Sequence, residues 1–277
     1  MLSVLKISLV LAGVAAAQDT TYANRIYHDF RSLNKCGSAS EPANITTDAE
    51  SAAATVQSGY LTSEAWINDF GIQVWGSPAS KDAPIRKLNS NANVYIHRDA
   101  SSTSSHLTLR AYRNENFISS AEVESKVHNM FHASIRVRAR VRGDAGVCAG
   151  IFTYYDDDNE SDIEILTRDP TNHIRYTNQP GLDDEGNEIP GASVDAVMAG
   201  GAVWNEWNDH RLDWAEDLST WYLNGELVHN KTYGVPSQPS LAILNMWGNG
   251  GVWTGDMDVG AAAYLDIEWI EILYNTV

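Results

Sequence analysis

Short segments in which apolar and polar residues alternate follow one another along most of the chain. Each predicts a β-strand, because successive side chains on a strand point to opposite faces. The clearest example is 134–142, where four apolar residues alternate with four arginines. The predicted strands are 22–34, 93–96, 106–111, 134–142, 147–155, 159–166, 171–180, 210–214, 220–223, 226–230, 241–247 and 264–274.

Turn signals separate these strands at intervals of roughly ten residues, a spacing typical of all-β sandwiches. Asn224-Gly225 lies between two alternating segments and predicts a tight hairpin. Residues 35–58 are predicted to form a long loop with one helical turn, and 181–202 a second loop. Helical periodicity and internal repeats are nearly absent from the sequence. We therefore expect one all-β domain over residues 18–277, an antiparallel β-sandwich of the jelly-roll type.

One predicted strand carries three acids at two-residue spacing, namely Glu160, Asp162 and Glu164. On a strand all three carboxylates point to one face, and Ile163 and Ile165 point to the other. Aligned like charges repel one another, so such a stripe destabilises a strand that has no use for it. An acidic strand that simply faces solvent is the alternative.

A pair of carboxyl groups on one face is what retaining glycoside hydrolysis requires. One acts as nucleophile and the other as acid and base, at a separation of roughly 5–5.5 Å. The Cα atoms of Glu160 and Glu164 lie roughly 13 Å apart at the rise of a strand. Two long side chains that lean toward each other over the shorter Asp162 can close that distance.

The N-terminus resembles a secretory signal peptide over residues 1–17, with Lys6, an apolar run at 7–14 and three alanines before Gln18. Secretion is therefore expected. The 277 residues have a formal net charge of −17. This charge argues against nucleic acids and anionic membranes as partners, and a neutral polymer fits better.

Two cysteines, Cys36 and Cys148, form an even pair in a chain expected to enter an oxidising compartment, which predicts a disulfide. Two buried thiols are the alternative. Asn44 and Asn230 lie in glycosylation sequons. A third sequon at Asn159 is discounted, because it stands at the start of the acidic strand.

From about residue 119 to 275 the chain resembles glycoside hydrolase family 16, especially its bacterial lichenase branch. The resemblance rests on a set of motifs in order around the acids: 152–154, 176–178, 210–214, 221–225, 244–247, 250–255 and 266–274. It implies a concanavalin A-like jelly roll with a concave substrate cleft. It also implies that Glu160 is the nucleophile, that Asp162 supports it and that Glu164 is the acid and base.

The resemblance further suggests substrate contacts from Asn178, Asn245, Trp247 and Trp253. Flat indoles suit the apolar faces of pyranose rings, and amides suit hydroxyls. Packing within the sheets is the alternative for each tryptophan. Three others, Trp214, Trp221 and Trp269, are expected to pack in the sheets, because they lie within regular strands.

Three further acidic or basic patterns are expected to be structural. The triplet at 266–268 repeats Asp-Ile-Glu but has Tyr264 where a nucleophile would stand. The arginines of 134–142 are expected on the outer face of the sandwich. The acids at 156–158 offer possible calcium ligands, but their spacing matches no known calcium site. No cofactor is expected.

The resulting hypothesis is a secreted, monomeric, retaining endo-β-glucanase that acts on β-1,3 or mixed β-1,3/1,4 glucan. A transglycosylase of the same fold, in which a sugar hydroxyl replaces water, is the first alternative. A non-catalytic glycan-binding lectin on the same sandwich is the second. The presence of all three acids favours an enzyme.

Overall fold

A computed structural model describes residues 21–33, 41–99 and 102–277. Two short helices, α1 (Asp48–Ala53) and α2 (Glu64–Ile67), accompany seventeen strands. The strands are β1 (Asn24–Asp29), β2 (Phe70–Ile72), β3 (Gly76–Ser77), β4 (Arg86–Asn89), β5 (Val94–His97), β6 (His106–Arg113), β7 (Phe117–Ser125), β8 (Met130–Gly143), β9 (Cys148–Asp156), β10 (Asn159–Leu166), β11 (His173–Asn178), β12 (Ser193–Val197), β13 (Asn208–Ala215), β14 (Leu218–Leu223), β15 (Glu226–Lys231), β16 (Leu241–Trp247) and β17 (Ala262–Thr276).

The strands form two layers, as the alternating pattern predicts. The front sheet has the order β12-β11-β10-β9-β16-β7-β2, and all of its pairs are antiparallel. The back sheet has the order β15-β14-β13-β8-β17-β6-β5, and β1 lies beside β17 beyond the end of β6. The first half of β7 also pairs with β4 and β6, so this strand joins the two layers. The predicted all-β sandwich is confirmed.

The core lies between the layers. Ile163 and Ile165 of the front sheet and Trp214 and Trp221 of the back sheet belong to one buried cluster. Each of these four side chains is at most 3% exposed. Burying aliphatic or aromatic side chains of this size contributes about 1.5–3 kcal/mol apiece. The predicted packing of Trp214 and Trp221 is confirmed, whereas Trp269 of β17 is partly exposed.

Three strands of the front sheet, β2, β7 and β12, have no counterpart in the sequence-based prediction. Both faces of β7 are buried, and its serines are enclosed with its apolar residues, so the strand shows no clean alternation. β12 lies within the segment predicted as the second loop and is only five residues long. α1 is the predicted helical turn, and its capping box joins Thr47 to Glu50.

The Asn224-Gly225 turn is confirmed by its backbone. Asn224 has φ of 51° and Gly225 has φ of 85°, as a hairpin turn with positive φ at both central positions requires. Asn224 also donates from its side chain to Asn208. The turn therefore fixes the β14–β15 register at the edge of the back sheet.

The repeated triplet at 266–268 is structural, as expected. Asp266 is fully buried in the back sheet and accepts hydrogen bonds from Arg140 and Arg142. Glu268 accepts from Arg138 at 2.8 Å. The four arginines of 136–142 are partly exposed, and each forms an ion pair with at least one acidic residue.

Candidate active site

The three acids lie on the outer face of β10, near the middle of the front sheet. β9 and β11 flank this strand, and Trp221 of the back sheet donates from its indole nitrogen to the backbone oxygen of Asp162 at 2.9 Å. This contact ties β10 to the core beneath it. Asp162 is 1% exposed, whereas Glu160 and Glu164 are partly exposed.

Glu160 and Asp162 share a hydrogen bond and influence each other's ionisation. Burial raises the pKa of Glu160 to about 7, although the hydrogen bond from Asp162 opposes this rise. Burial and the charges of Glu160 and Glu164 raise the pKa of Asp162 well above its ordinary value. The hydrogen bond lowers the pKa of Glu160 and raises that of Asp162, as it does when Asp162 donates to the carboxylate of Glu160.

Glu164 has donors of its own. Its Oε1 accepts from Trp253 Nε1 at 3.0 Å and lies 3.5 Å from the Sγ of Cys148. Burial raises the pKa of Glu164, and these two contacts together with the charge of Arg175 oppose the rise. Desolvation raises this pKa, rather than the charges of the other two acids.

Asn178 does not face the outer surface, which corrects the sequence-based assignment. It pairs with Ser161, a residue of the opposite face from the acids, and is fully buried between the layers. Its amide accepts from Ser161 Oγ at 2.6 Å and donates to the backbone oxygen of Tyr233 at 2.8 Å. Its side chain is therefore engaged within the protein.

On β11 the odd-numbered residues, rather than Asn178, have side chains on the outer face. Arg175 stands opposite Glu164 and Thr177 opposite Asp162. Gln179 follows the strand and donates to Asp162 Oδ2 at 3.3 Å. Sequence reasoning missed all three, because their face depends on the pairing register with β10, which strand periodicity alone does not fix.

Asn245 and Trp247 lie on the outer face of β16, as predicted. Asn245 stands opposite Gly150 of β9, which in turn stands opposite Glu164. A Cβ at Gly150 would come within 2.7 Å of Asn245 Oδ1, so a glycine is needed there for space. Trp247 is partly exposed, and Trp253 is placed against Glu164. Sugar contacts by these residues stay predictions.

The described parts of the chain, 21–33, 41–99 and 102–277, contain no group of three or more His, Cys, Asp or Glu side chains that could hold a metal ion. In the acidic turn, Asp156 Oδ1 accepts from Asp158 N and Asn159 Nδ2, and Asp157 Oδ1 accepts from Tyr154. Over the same ranges, no helix is long and apolar enough to span a membrane.

The predicted disulfide and signal peptide fall partly or wholly outside the described residues. Cys36 and residues 1–17 belong to the part that the structure does not describe. Cys148 is fully buried and forms no disulfide with any residue that the structure describes, so its bridge to Cys36 stays a prediction. Asn44 and Asn230 are both exposed. Their glycosylation stays a prediction.

Comparisons with known proteins agree with this geometry. Residues 87–271 match the family model described as glycosyl hydrolases family 16. A β-glucanase of Brevibacillus brevis is 33% identical over 137 residues, which cover 45% of this chain and 49% of that protein. A Crh-like protein 2 of Aspergillus fumigatus is 30% identical over 132 residues, 43% of this chain and 28% of that protein. The chain spans about half the length or less of these curated relatives.

Solved structures share the fold. A β-glucanase of Bacillus licheniformis superposes with a TM-score of 0.56 at 20% identity, over 76% of this chain and 93% of that one. A laminarinase catalytic domain of Thermotoga maritima gives a TM-score of 0.58 at 18% identity, over 76% and 92%. At this level of identity, the likeness concerns the fold alone.

Proposed function

The chain belongs to glycosyl hydrolases family 16, and from this premise we propose that it is an endo-β-glucanase. Its substrate is a β-1,3 or mixed β-1,3/1,4 glucan. The observation that carries the proposal is the shared outer face of Glu160, Asp162 and Glu164, with distinct hydrogen-bond partners for the two glutamates. An acidic strand facing solvent would leave these acids exposed, whereas Asp162 is 1% exposed.

In the proposed mechanism, Glu160 attacks the anomeric carbon and forms a covalent glycosyl-enzyme. Asp162, as a neutral acid, donates a hydrogen bond that favours the ionised form of Glu160, which is the form that attacks. The same bond stabilises the carboxylate again when it leaves in the second step. A pKa of about 7 makes Glu160 a stronger base than an ordinary glutamate while leaving a substantial ionised fraction near neutral pH.

Glu164 serves as acid and then as base. Burial raises its pKa, so it holds a proton for the departing sugar oxygen. The Trp253 N–H stabilises the carboxylate that remains after the proton has been transferred. The carboxylate then takes a proton from the water that attacks the glycosyl-enzyme, and the product keeps the β-configuration.

We also propose that the protein is secreted, since residues 1–17 have the pattern of a signal peptide. Its substrate, an extracellular polymer, suits that destination, and the net charge of −17 does not oppose a neutral polysaccharide. Detection of the chain in culture medium with an N-terminus near Gln18 tests this proposal.

Product analysis on laminarin, lichenan and a cell-wall chitin–glucan fraction tests the function. Hydrolysis is expected to release oligosaccharides whose new reducing ends are first β-anomers by proton NMR. Longer products would indicate transfer to a sugar hydroxyl. An initial α-anomer would contradict a retaining mechanism, and binding without bond cleavage would favour a lectin.

Variants assign the roles. Glu164→Gln is expected to abolish turnover of natural glucans but to spare the first step with activated aryl glycosides, whose leaving groups need no proton. Added azide should then rescue the second step. Glu160→Gly should lose turnover of both natural glucans and aryl glycosides, because no covalent intermediate can form. It should still use an α-glycosyl fluoride as a donor for synthesis. The matched control is Glu268→Gln, which changes the repeated triplet in the back sheet and should retain activity.

A further inference from the structure

Lys87 of β4 lies next to two tryptophans, Trp75 and Trp247, near β16 of the front sheet. Its Nζ lies 4.3 Å from the ring centroid of Trp75 and 5.4 Å from that of Trp247. Burial lowers the pKa of Lys87, and the nearby charge of Glu122 opposes this effect. Within the described ranges, its ammonium group has neither a hydrogen bond nor an ion pair, so its three donors are available to a ligand.

The floor beneath Lys87 is polar and buried. Glu122 of β7 is 3% exposed and accepts from Asn245 Nδ2 at 3.2 Å and from Asn89 Nδ2 at 3.5 Å. The Oδ1 atoms of Asn89 and Asn245 are buried and have no hydrogen-bond partner among the described residues. A buried acceptor without a donor destabilises a protein, and such atoms point to a functional site when they cluster.

The polar cluster of Asn89, Glu122 and Asn245 lies on the same face of the front sheet as the three acids, but several strands away from them. Glu164, Gly150, Asn245 and Glu122 stand opposite one another on four successive strands. Three strand spacings separate Glu122 from Glu164, about 14 Å. A sugar bound there is therefore not one of the two joined by the scissile bond. Arg175 lies on β11, on the other side of β10, where it contacts Trp253.

We infer that Lys87 is a specificity-determining residue, whose ammonium group binds hydroxyls of a distant sugar ring held at Trp75 and Trp247. The inference rests on the proposed function. Sugar hydroxyls both accept and donate, so they suit a site that offers free ammonium donors above unpaired amide oxygens. Two indole faces beside these groups suit the apolar faces of a pyranose ring. Trp75 is 44% exposed and so remains accessible to such a ring.

Lys87→Met tests the role of the ammonium group, because methionine keeps the unbranched apolar stem and removes the donors. Two substrates are compared: a long laminarin- or lichenan-derived oligosaccharide, and an aryl β-disaccharide too short to reach Lys87. KM for the long substrate is expected to rise about tenfold, as loss of a charge-assisted hydrogen bond predicts. kcat/KM for the short substrate should stay unchanged. Lys87→Arg should retain part of the affinity.

Lys81→Met is the matched control, since Lys81 is exposed on the loop before β4 and should affect neither substrate. An unchanged KM for the long substrate would overturn the inference, and so would an equal loss on both substrates, which would show a structural effect. If the wild-type protein cleaved and bound none of the glucans, the proposed function itself would fail. The two failures are therefore distinguishable.

Discussion

The indole nitrogen of Trp253 donates a hydrogen bond of 3.0 Å to Oε1 of Glu164. The donor comes from the loop after β16 and the acceptor from the middle of β10, so the two residues are 89 positions apart. Arg175 lies over the same indole, 5.1 Å from its centroid. The loop thus opposes the rise that burial causes in the pKa of the proposed acid and base, and its effect can be measured.

Trp253→Phe removes the N–H and keeps most of the ring. The carboxylate of Glu164 loses a stabilising donor, so the pKa of Glu164 should rise further. Because catalysis needs Glu164 protonated, the basic limb of the kcat/KM profile should move to higher pH. Trp269→Phe, outside the site, is the control. A basic limb that stayed in place would contradict the role assigned to the indole.

Trp247→Ala should weaken β-glucan binding while the protein stays folded, since the indole is a partly exposed platform beside Lys87. A loss of about 1–3 kcal/mol of binding free energy is expected for an aromatic surface of this kind. Affinity electrophoresis in laminarin or lichenan gels measures it. Trp207→Ala is the matched control on the back sheet. Equal mobility of the Trp247 variant and the wild type would make Trp247 a packing residue.

The predicted bridge between Cys36 and Cys148 can be tested by a matched pair of alanine variants. With a bridge, both variants should lose the same free energy of unfolding, roughly 4–5 kcal/mol for a loop of this length. The intact, unreduced protein should then show no free thiol by mass spectrometry after alkylation. Two alkylated cysteines would contradict the bridge and would leave the Cys148 thiol in contact with Glu164, as the structure has it.

Asp266→Asn should strongly destabilise the back sheet. Asp266 is fully buried and pairs with Arg140 and Arg142, and breaking a buried ion pair costs about 3–5 kcal/mol. Urea unfolding monitored by tryptophan fluorescence measures the change. Asp209→Asn is the control, because its pair with Arg138 is exposed and should contribute about 1 kcal/mol or less.

The same variant should change the acid dependence of stability. Burial alone would raise the pKa of Asp266, but the nearby His106 and the charge and hydrogen bond of Arg142 outweigh it and lower the pKa. The stabilisation is therefore complete above the unfolded value near pH 4 and is lost as pH falls toward the folded pKa. Stability of Asp266→Asn should decline less between pH 4 and 2. An equal decline in both proteins would contradict this assignment.

The sequence by itself determined the layers of the fold and the face on which the three acids of β10 lie. Period-two alternation places Ile163 and Ile165 toward the core and Glu160, Asp162 and Glu164 away from it, whatever the neighbouring strands do. The hairpin at Asn224-Gly225 could also be predicted from its own short segment, because only a few residue types adopt positive φ readily. Such features follow from one short segment of chain.

Tertiary structure alone decided what surrounds those acids. Pairing register turned Asn178 inward and Arg175 outward, since a shift of one residue exchanges the two faces of a strand. Loop closure brought Trp253 to Glu164, and the join between the sheets brought Lys87 to Trp247. Burial then raised the pKa of Glu164, because desolvation depends on everything packed around a group rather than on its neighbours in sequence.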